Sequence, residues 1–251
     1  HEVTVTDGHT CSVTRSFVLN DPPKLTVALV NAQSRDPLCI GSSDGILQVQ
    51  ATGGTGAYTY RWNNGQTGAQ ATSLSAGTYQ VTVSDEHNCS VTQSFVLNDP
   101  AALEIELIGS GTRDPLCTGS SNGILQVRAK GGSGGYTYRW NNGQTTARAT
   151  NLKAGVYEVT VLDTHNCSTT RSFILNDPAE LGVTLMAAQS RDPLCVGSAD
   201  GILQVQATGG TGRYAYRWSN GQTTARAIGL GAGTHSVTIT DANGCTLKAE
   251  F

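Results

Sequence analysis

The stretch RDPLCIGSSDGILQVQATGGTGAYTYRWNNGQ, residues 35–66, decides the fold because it returns as RDPLCTGSSNGILQVRAKGGSGGYTYRWNNGQ at residues 113–144. The two copies agree at 26 of 32 positions, and a third copy opens at Arg191. Working outward, Cys11, Cys89, Cys167 and Cys245 stand 78 residues apart, as do Cys39, Cys117 and Cys195. Trp62, Trp140 and Trp218 keep the same spacing, and so do Pro22, Pro100 and Pro178. A fixed period with no insertion is the signature of a tandem array. Three periods and 17 further residues make up the 251. His1 aligns with Tyr79, inside an expected strand, and Phe251 aligns with Phe95, so the expectation is a window on a longer array. The competing expectation is a subunit whose N-terminal fragment completes a neighbour's sheet.

Within a unit, short alternating runs are separated by turn signals. Leu25, Val27 and Leu29 alternate with polar or small residues, and in the next unit Glu104 and Glu106 mark the water-facing side. Leu47, Val49 and Ala51 form a second apolar face, and Tyr58, Tyr60 and Trp62 a third that runs to the hairpin signal Asn64-Gly65. A polar strand is expected over 69–73, an inward face at Tyr79, Val81 and Val83, and a last strand from Val91 to Leu97. No segment has sustained helical periodicity. The fold expected is all-β: tandem immunoglobulin- or PKD-like antiparallel β-sandwiches arranged head to tail as a rod. Residues 1–21 are assigned to the end of a preceding repeat, followed by repeats at 22–99, 100–177 and 178–251, the last slightly truncated. The linkers are Asn-Asp-Pro at Pro22, Pro100 and Pro178, where the ring fixes φ and the joint is too short to swivel freely. The core aromatics are Tyr60, Trp62, Tyr138, Trp140, Tyr216 and Trp218.

Composition narrows the function. Only 14% of residues are charged, the net charge is −3, and no basic cluster exists, which argues against nucleic acid as a partner. No apolar run is long enough for a membrane span.

Two periodic cysteines per unit without a CxxC pair read as a disulfide framework in an oxidising compartment. Two pairings respect the period. Pairing within a unit joins Cys39–Cys89, Cys117–Cys167 and Cys195–Cys245 and leaves Cys11 unpaired. Pairing across the joint joins Cys11–Cys39, Cys89–Cys117 and Cys167–Cys195. Loop entropy does not separate them. The first is preferred, since Cys39 precedes the second strand and Cys89 the last, which puts both at one end of the sandwich.

The pattern Cys39-x-Gly41-x-x-Asp44-Gly45, Gly53-Gly54-x-Gly56-x-Tyr58-x-Tyr60-x-Trp62-x-Asn64-Gly65, Leu74-x-Ala76-Gly77-x-Tyr79-x-Val81-x-Val83-x-Asp85 and Cys89 resembles the SprB-type repeat. The third unit departs from it at His235, where Tyr is expected. The resemblance implies a repetitive, exported cell-surface protein of the adhesin kind, found in gliding and other Bacteroidetes and often a substrate of type IX secretion. It implies no defined ligand for each repeat.

Candidate chemistry is thin. His9, His87 and His165 recur, but the fourth equivalent is Asn243, which argues against a required metal or catalytic role. Asp7, Asp85, Asp163 and Asp241 stand where a carboxylate caps a turn. Asp36, Asp44, Asp114 and Asp200 are the only candidates for calcium; Asn122 replaces one, no DxDxDG loop is present, and no cofactor is expected. The Tyr58-Tyr60-Trp62 stripe is read as core in preference to a sugar platform. The chain is therefore read as a non-enzymatic, disulfide-stapled stalk or spacer of a bacterial surface adhesin or extracellular fibre. Its partners are the neighbouring repeats, with other copies in a fibre or surface polysaccharide as alternatives. The other readings kept open are a filament subunit using strand exchange and a polysaccharide-binding module.

Overall fold

The computed structural model describes all 251 residues and divides into two compact units, His1–Ala102 and Leu103–Phe251. The first unit opens with a hairpin, β1 (Glu2–Thr6) and β2 (Ser12–Ser16). A six-stranded sandwich follows: β3 (Thr26–Leu29), β4 (Gly45–Thr52), β5 (Thr59–Trp62), β6 (Gln70–Leu74), β7 (Gly77–Ser84) and β8 (Ser90–Leu97). All pairings are antiparallel, in two sheets ordered β3-β4-β6 and β5-β7-β8. The second unit holds the same arrangement twice. Its first sandwich is β9 (Glu104–Leu107), β10 (Gly123–Lys130), β11 (Thr137–Trp140), β12 (Arg148–Leu152), β13 (Gly155–Leu162) and β14 (Ser168–Leu175). Its second is β15 (Gly182–Leu185), β16 (Gly201–Thr208), β17 (Ala215–Trp218), β18 (Arg226–Leu230), β19 (Ser236–Thr240) and β20 (Thr246–Glu250). The fold is all-β and immunoglobulin-like.

Alternation builds each core. Leu47, Val49 and Ala51 from β4 meet Trp62, Val81, Val83 and Leu97 from the facing sheet, with Leu25, Ala71 and Leu74 closing the layer. The indole is buried, and its Nε1 donates to Gly68 O at 3.0 Å. Trp140 and Trp218 donate likewise to Thr146 O and Thr224 O, so each ring also pins the segment that crosses between the sheets. Tyr60, Tyr138 and Tyr216 are half-buried and pack against these cores.

That crossing segment sets the direction of every strand downstream. Trp62 N donates to Gln66 O and Val49 N to Ala69 O, so the chain leaves β5 and joins β6 part-way along the sandwich. As a result β8 runs opposite to β4. A Cβ on Gly45, at the start of β4, would stand 2.9 Å from Leu97 Cδ1 at the end of β8. One on Gly54, just past β4, would stand 2.8 Å from Asp85 Oδ2, beside the start of β8. Cys39 and Cys89, which precede those two strand starts, therefore lie at opposite ends of the sandwich rather than at one end.

A tyrosine corner closes the turn into β7. Tyr79 Oη donates to Ser75 O and Tyr157 Oη to Lys153 O, both at 3.0 Å. In the third sandwich His235 Nε2 sits 2.9 Å from Gly231 O, so the residue that breaks the sequence pattern keeps its hydrogen bond.

Candidate functional site: the cysteine-stapled joint

Two loops, one at each end of a sandwich, carry the cysteines, and both are folded by side chains that recur with the period. The turn after β7 is built on Asp85. Its Oδ1 accepts His87 N at 3.0 Å and Cys89 N at 2.9 Å, while Oδ2 accepts Thr55 N at 3.0 Å from the Gly53-Gly54-Thr55-Gly56 loop. Asp163 and Asp241 repeat this with Ser133 and Thr211 as the loop partners. All three are buried. Burial raises their carboxyl pKa, but the converging N–H groups outweigh it and hold each below the ordinary carboxylate value. Gly54 has φ +65° and no room for a Cβ against the carboxylate, so the loop takes glycine there.

The second loop holds Cys39. Arg35 exchanges backbone bonds with Ile46, Leu38 N donates to Asp44 Oδ1 at 3.1 Å, and Cys39 N donates to Ser42 Oγ at 3.3 Å. In the second repeat Leu116 N donates to Asn122 Oδ1 at 2.8 Å. Only one oxygen of this side chain is engaged, so Asn serves as well as Asp; the residue is a loop brace. No group of three or more His, Cys, Asp or Glu side chains converges as a metal site would require.

The loop is clamped to the linker of its own repeat. Asp36 Oδ1 accepts Asn98 N at 2.8 Å, and Asp99 Oδ1 accepts Gly41 N at 3.2 Å. Asp114 and Asp177 make the same two bonds, with Asn176 N at 2.9 Å and Gly119 N at 3.1 Å. Linker Asn-Asp-Pro residues are thus fixed by hydrogen bonds as well as by the proline ring.

In the second unit these two kinds of loop meet. Cys117, on the clamped loop of one repeat, is bonded to Cys245, on the aspartate turn of the next, with Cα atoms 5.6 Å apart. Asn243 Nδ2 donates to Leu116 O at 3.3 Å, and Thr118 Oγ1 donates to Pro178 O at 3.2 Å. A cleft of about 400 Å³ lies beside the bond, lined by Thr118, Pro178, Glu180, Leu181 and Leu247 among others.

This overturns the expected connectivity. Cys89 and Cys195 are free and exposed, so Cys39–Cys89 and Cys195–Cys245 do not form, and Cys117 is bonded to Cys245 rather than Cys167. The alternative pairing of Cys89 with Cys117 fails for the same reason. Cys39 and Cys167 are disulfide-bonded, and Cys11 is free and exposed. The physical reason is the opposite polarity of β4 and β8: a sandwich holds its two cysteines too far apart to join, and the neighbour supplies the partner. Both expected pairings considered cysteines adjacent in sequence, whereas the bond observed spans 128 residues.

One arrangement superficially suits nucleophilic chemistry: Thr55 Oγ1 lies 2.7 Å from His87 Nδ1. The second repeat has Ser133 against Thr164 in this place, and the third has Asn243 where the histidine stood. The aspartate faces backbone N–H groups, so the contact is part of the turn.

The family model described as the SprB repeat matches residues 31–67, 110–145 and 187–223. Each match runs from the cysteine loop through the tryptophan strand, and the aspartate turn lies beyond it. No curated protein matches the sequence. Among solved structures, Sidekick-1 immunoglobulin domains 1–5 align at 10% identity over 99% of this chain, with a TM-score of 0.37, and the chain spans 64% of that protein's chain. Titin domains A168–A170 align at 14% identity over 91% of this chain and 97% of theirs, TM-score 0.30. Domains 1–6 of the surface layer protein SbsC align at 14% identity over 99% of this chain and 44% of theirs, TM-score 0.31.

Proposed function

The chain carries three SprB repeats, and from that premise we propose that it is a run of structural stalk repeats from a long bacterial cell-surface protein, an adhesin or extracellular fibre exported by the type IX route. The repeats space a distal binding region away from the cell and perform no chemistry. The observation that carries this reading is the joint. A linker clamped by Asp177 and bridged by Cys117–Cys245 removes the freedom that a three-residue connection would otherwise retain. Disulfides persist outside the cytosol, in agreement with an exported chain. No helix is long and apolar enough to cross a membrane.

The alternatives find less support. A sugar platform needs exposed rings, but Trp62, Trp140 and Trp218 are buried and Tyr58 Oη is engaged with Gly53 O. Strand exchange between copies needs a sandwich missing its last hairpin, and all three sandwiches supply their own. Antibodies raised against the chain test the proposal on intact, unpermeabilised cells of the source organism. Labelling of surface filaments is expected; labelling only after permeabilisation refutes it.

A further inference from the structure

We infer that the loop around Cys195 is a preformed acceptor for the cysteine turn of another SprB repeat, with which it makes the disulfide that Cys117 makes with Cys245. The mated pair of surfaces is visible at Cys117 and Cys245, and its two halves are visible unmated at Cys195 and Cys89. In the acceptor loop of the third repeat, Leu194 N donates to Asp200 Oδ1 at 3.1 Å, Cys195 N to Ser198 Oγ at 3.2 Å, and Ser198 N to Cys195 O at 3.0 Å. The corresponding bonds of the mated loop, around Cys117, are 2.8, 3.2 and 3.0 Å. The loop therefore has its bonded conformation before any partner arrives, which lowers the ordering cost of docking.

The donor turn is preformed in the same way. Around the free Cys89, Asp85 N donates to Cys89 O at 3.0 Å and Cys89 N to Asp85 Oδ1 at 2.9 Å. Around the bonded Cys245 the same two distances are 3.0 and 2.8 Å.

Exposure separates the mated from the unmated acceptor. Leu116 and Cys117 are half-buried beneath the turn of the next repeat, whereas Leu194 is 71% exposed and both Cys195 and Val196 are open to solvent. The third repeat presents Leu194 and Val196 around its thiol where the second presents Leu116 and Thr118 beside Gly244 and Cys245, on a loop of the same hydrogen-bonded shape. The occupant is a repeat following in register, its cysteine 128 residues beyond Cys195, as Cys245 is beyond Cys117. In the bonding step the two thiols lose two protons and two electrons to oxidised glutathione, giving one S–S bond and two glutathione thiols. The inference needs only the joint geometry and stands whether or not the repeats form a stalk.

The test lengthens the chain in register by one further repeat with the sequence of the third, adding one loop cysteine and one turn cysteine. After oxidation with glutathione, thiols are titrated in denaturant and disulfide peptides mapped. The 251-residue chain has three free thiols. The lengthened chain is expected to keep three, with Cys195 joined to the added turn cysteine. In the lengthened chain Cys195→Ser should raise the count to four. Five free thiols, a bond from Cys195 to the added loop cysteine, or disulfide-linked dimers through Cys195 would overturn the inference.

Discussion

Asp44 and Asp85 are the same residue type put to different demands. Asp44 offers one oxygen to Leu38 N and the Ser42 hydroxyl, and Asn122 does the same work one repeat later. Asp85 uses both oxygens as acceptors for N–H groups. An amide there would turn a donor toward a donor, leaving a buried group unsatisfied. Asp85→Asn should therefore lower the melting temperature of its sandwich by about 4–8 °C, while Asp44→Asn should move it by less than about 3 °C; calorimetry distinguishes them. The pH dependence follows from the same groups. Asp85, Asp163 and Asp241 have folded pKa values below the ordinary aspartate value of 3.8, so their contribution is complete above that pH and is lost as pH falls through the lowered values. A melting temperature nearly constant from neutrality to about pH 5 and dropping below about pH 4 is expected. A fall beginning near pH 6 would contradict this assignment. Tyr79→Phe removes one hydrogen bond to Ser75 O and should cost about 1 kcal/mol, measured by denaturant unfolding. The aspartate turns were legible because Asx residues before an αL position have a local chemistry. The histidine that substitutes for tyrosine was legible only as a departure, since its partner is a backbone carbonyl that no sequence pattern names.

At the level of strands, alternation located every sandwich strand to within a few residues, and the buried faces at Leu47, Val49, Val81 and Val83 follow directly from period two. Strand direction was the harder quantity. The segment from Asn63 to Ala69 reads as a hairpin return after Asn64-Gly65, yet it crosses between sheets and lets β6 run the same way as β5. One reversal fewer places Cys89 at the far end from Cys39, and the pairing expected on the opposite assumption fails. Tryptophan holds this crossing in place. Trp140→Ala removes a buried ring and the bond to Thr146 O, and should destabilise the middle sandwich by roughly 3–5 kcal/mol. Trp140→Phe retains most of the apolar volume, so comparing the two by chemical denaturation separates packing from pinning. A phenylalanine variant as unstable as the alanine one would assign the whole effect to the hydrogen bond.

For the molecule as a whole, the Cys117–Cys245 bond decides how far the chain can be drawn out. Pulled from its ends, the oxidised chain can extend through no more than the residues outside this bridged segment, at most 116 steps before Cys117 and 6 after Cys245. It cannot pass about 415 Å, at roughly 3.4 Å per residue, whereas the reduced chain reaches about 850 Å. Single-molecule pulling with and without reductant checks this; an oxidised chain passing the lower limit would show the bond absent. The first two repeats also differ at only 6 of 32 positions between residues 35–66 and 113–144, so strands of neighbours are nearly interchangeable and a chain of this kind is prone to swapped intermediates. The joint bond supplies a check on that error. Cys117 is positioned only when its own repeat has docked the Asp177 linker, and Cys245 only when the next repeat has closed its aspartate turn. Correct oxidation is thus a record of two separate folding events, written in one covalent bond.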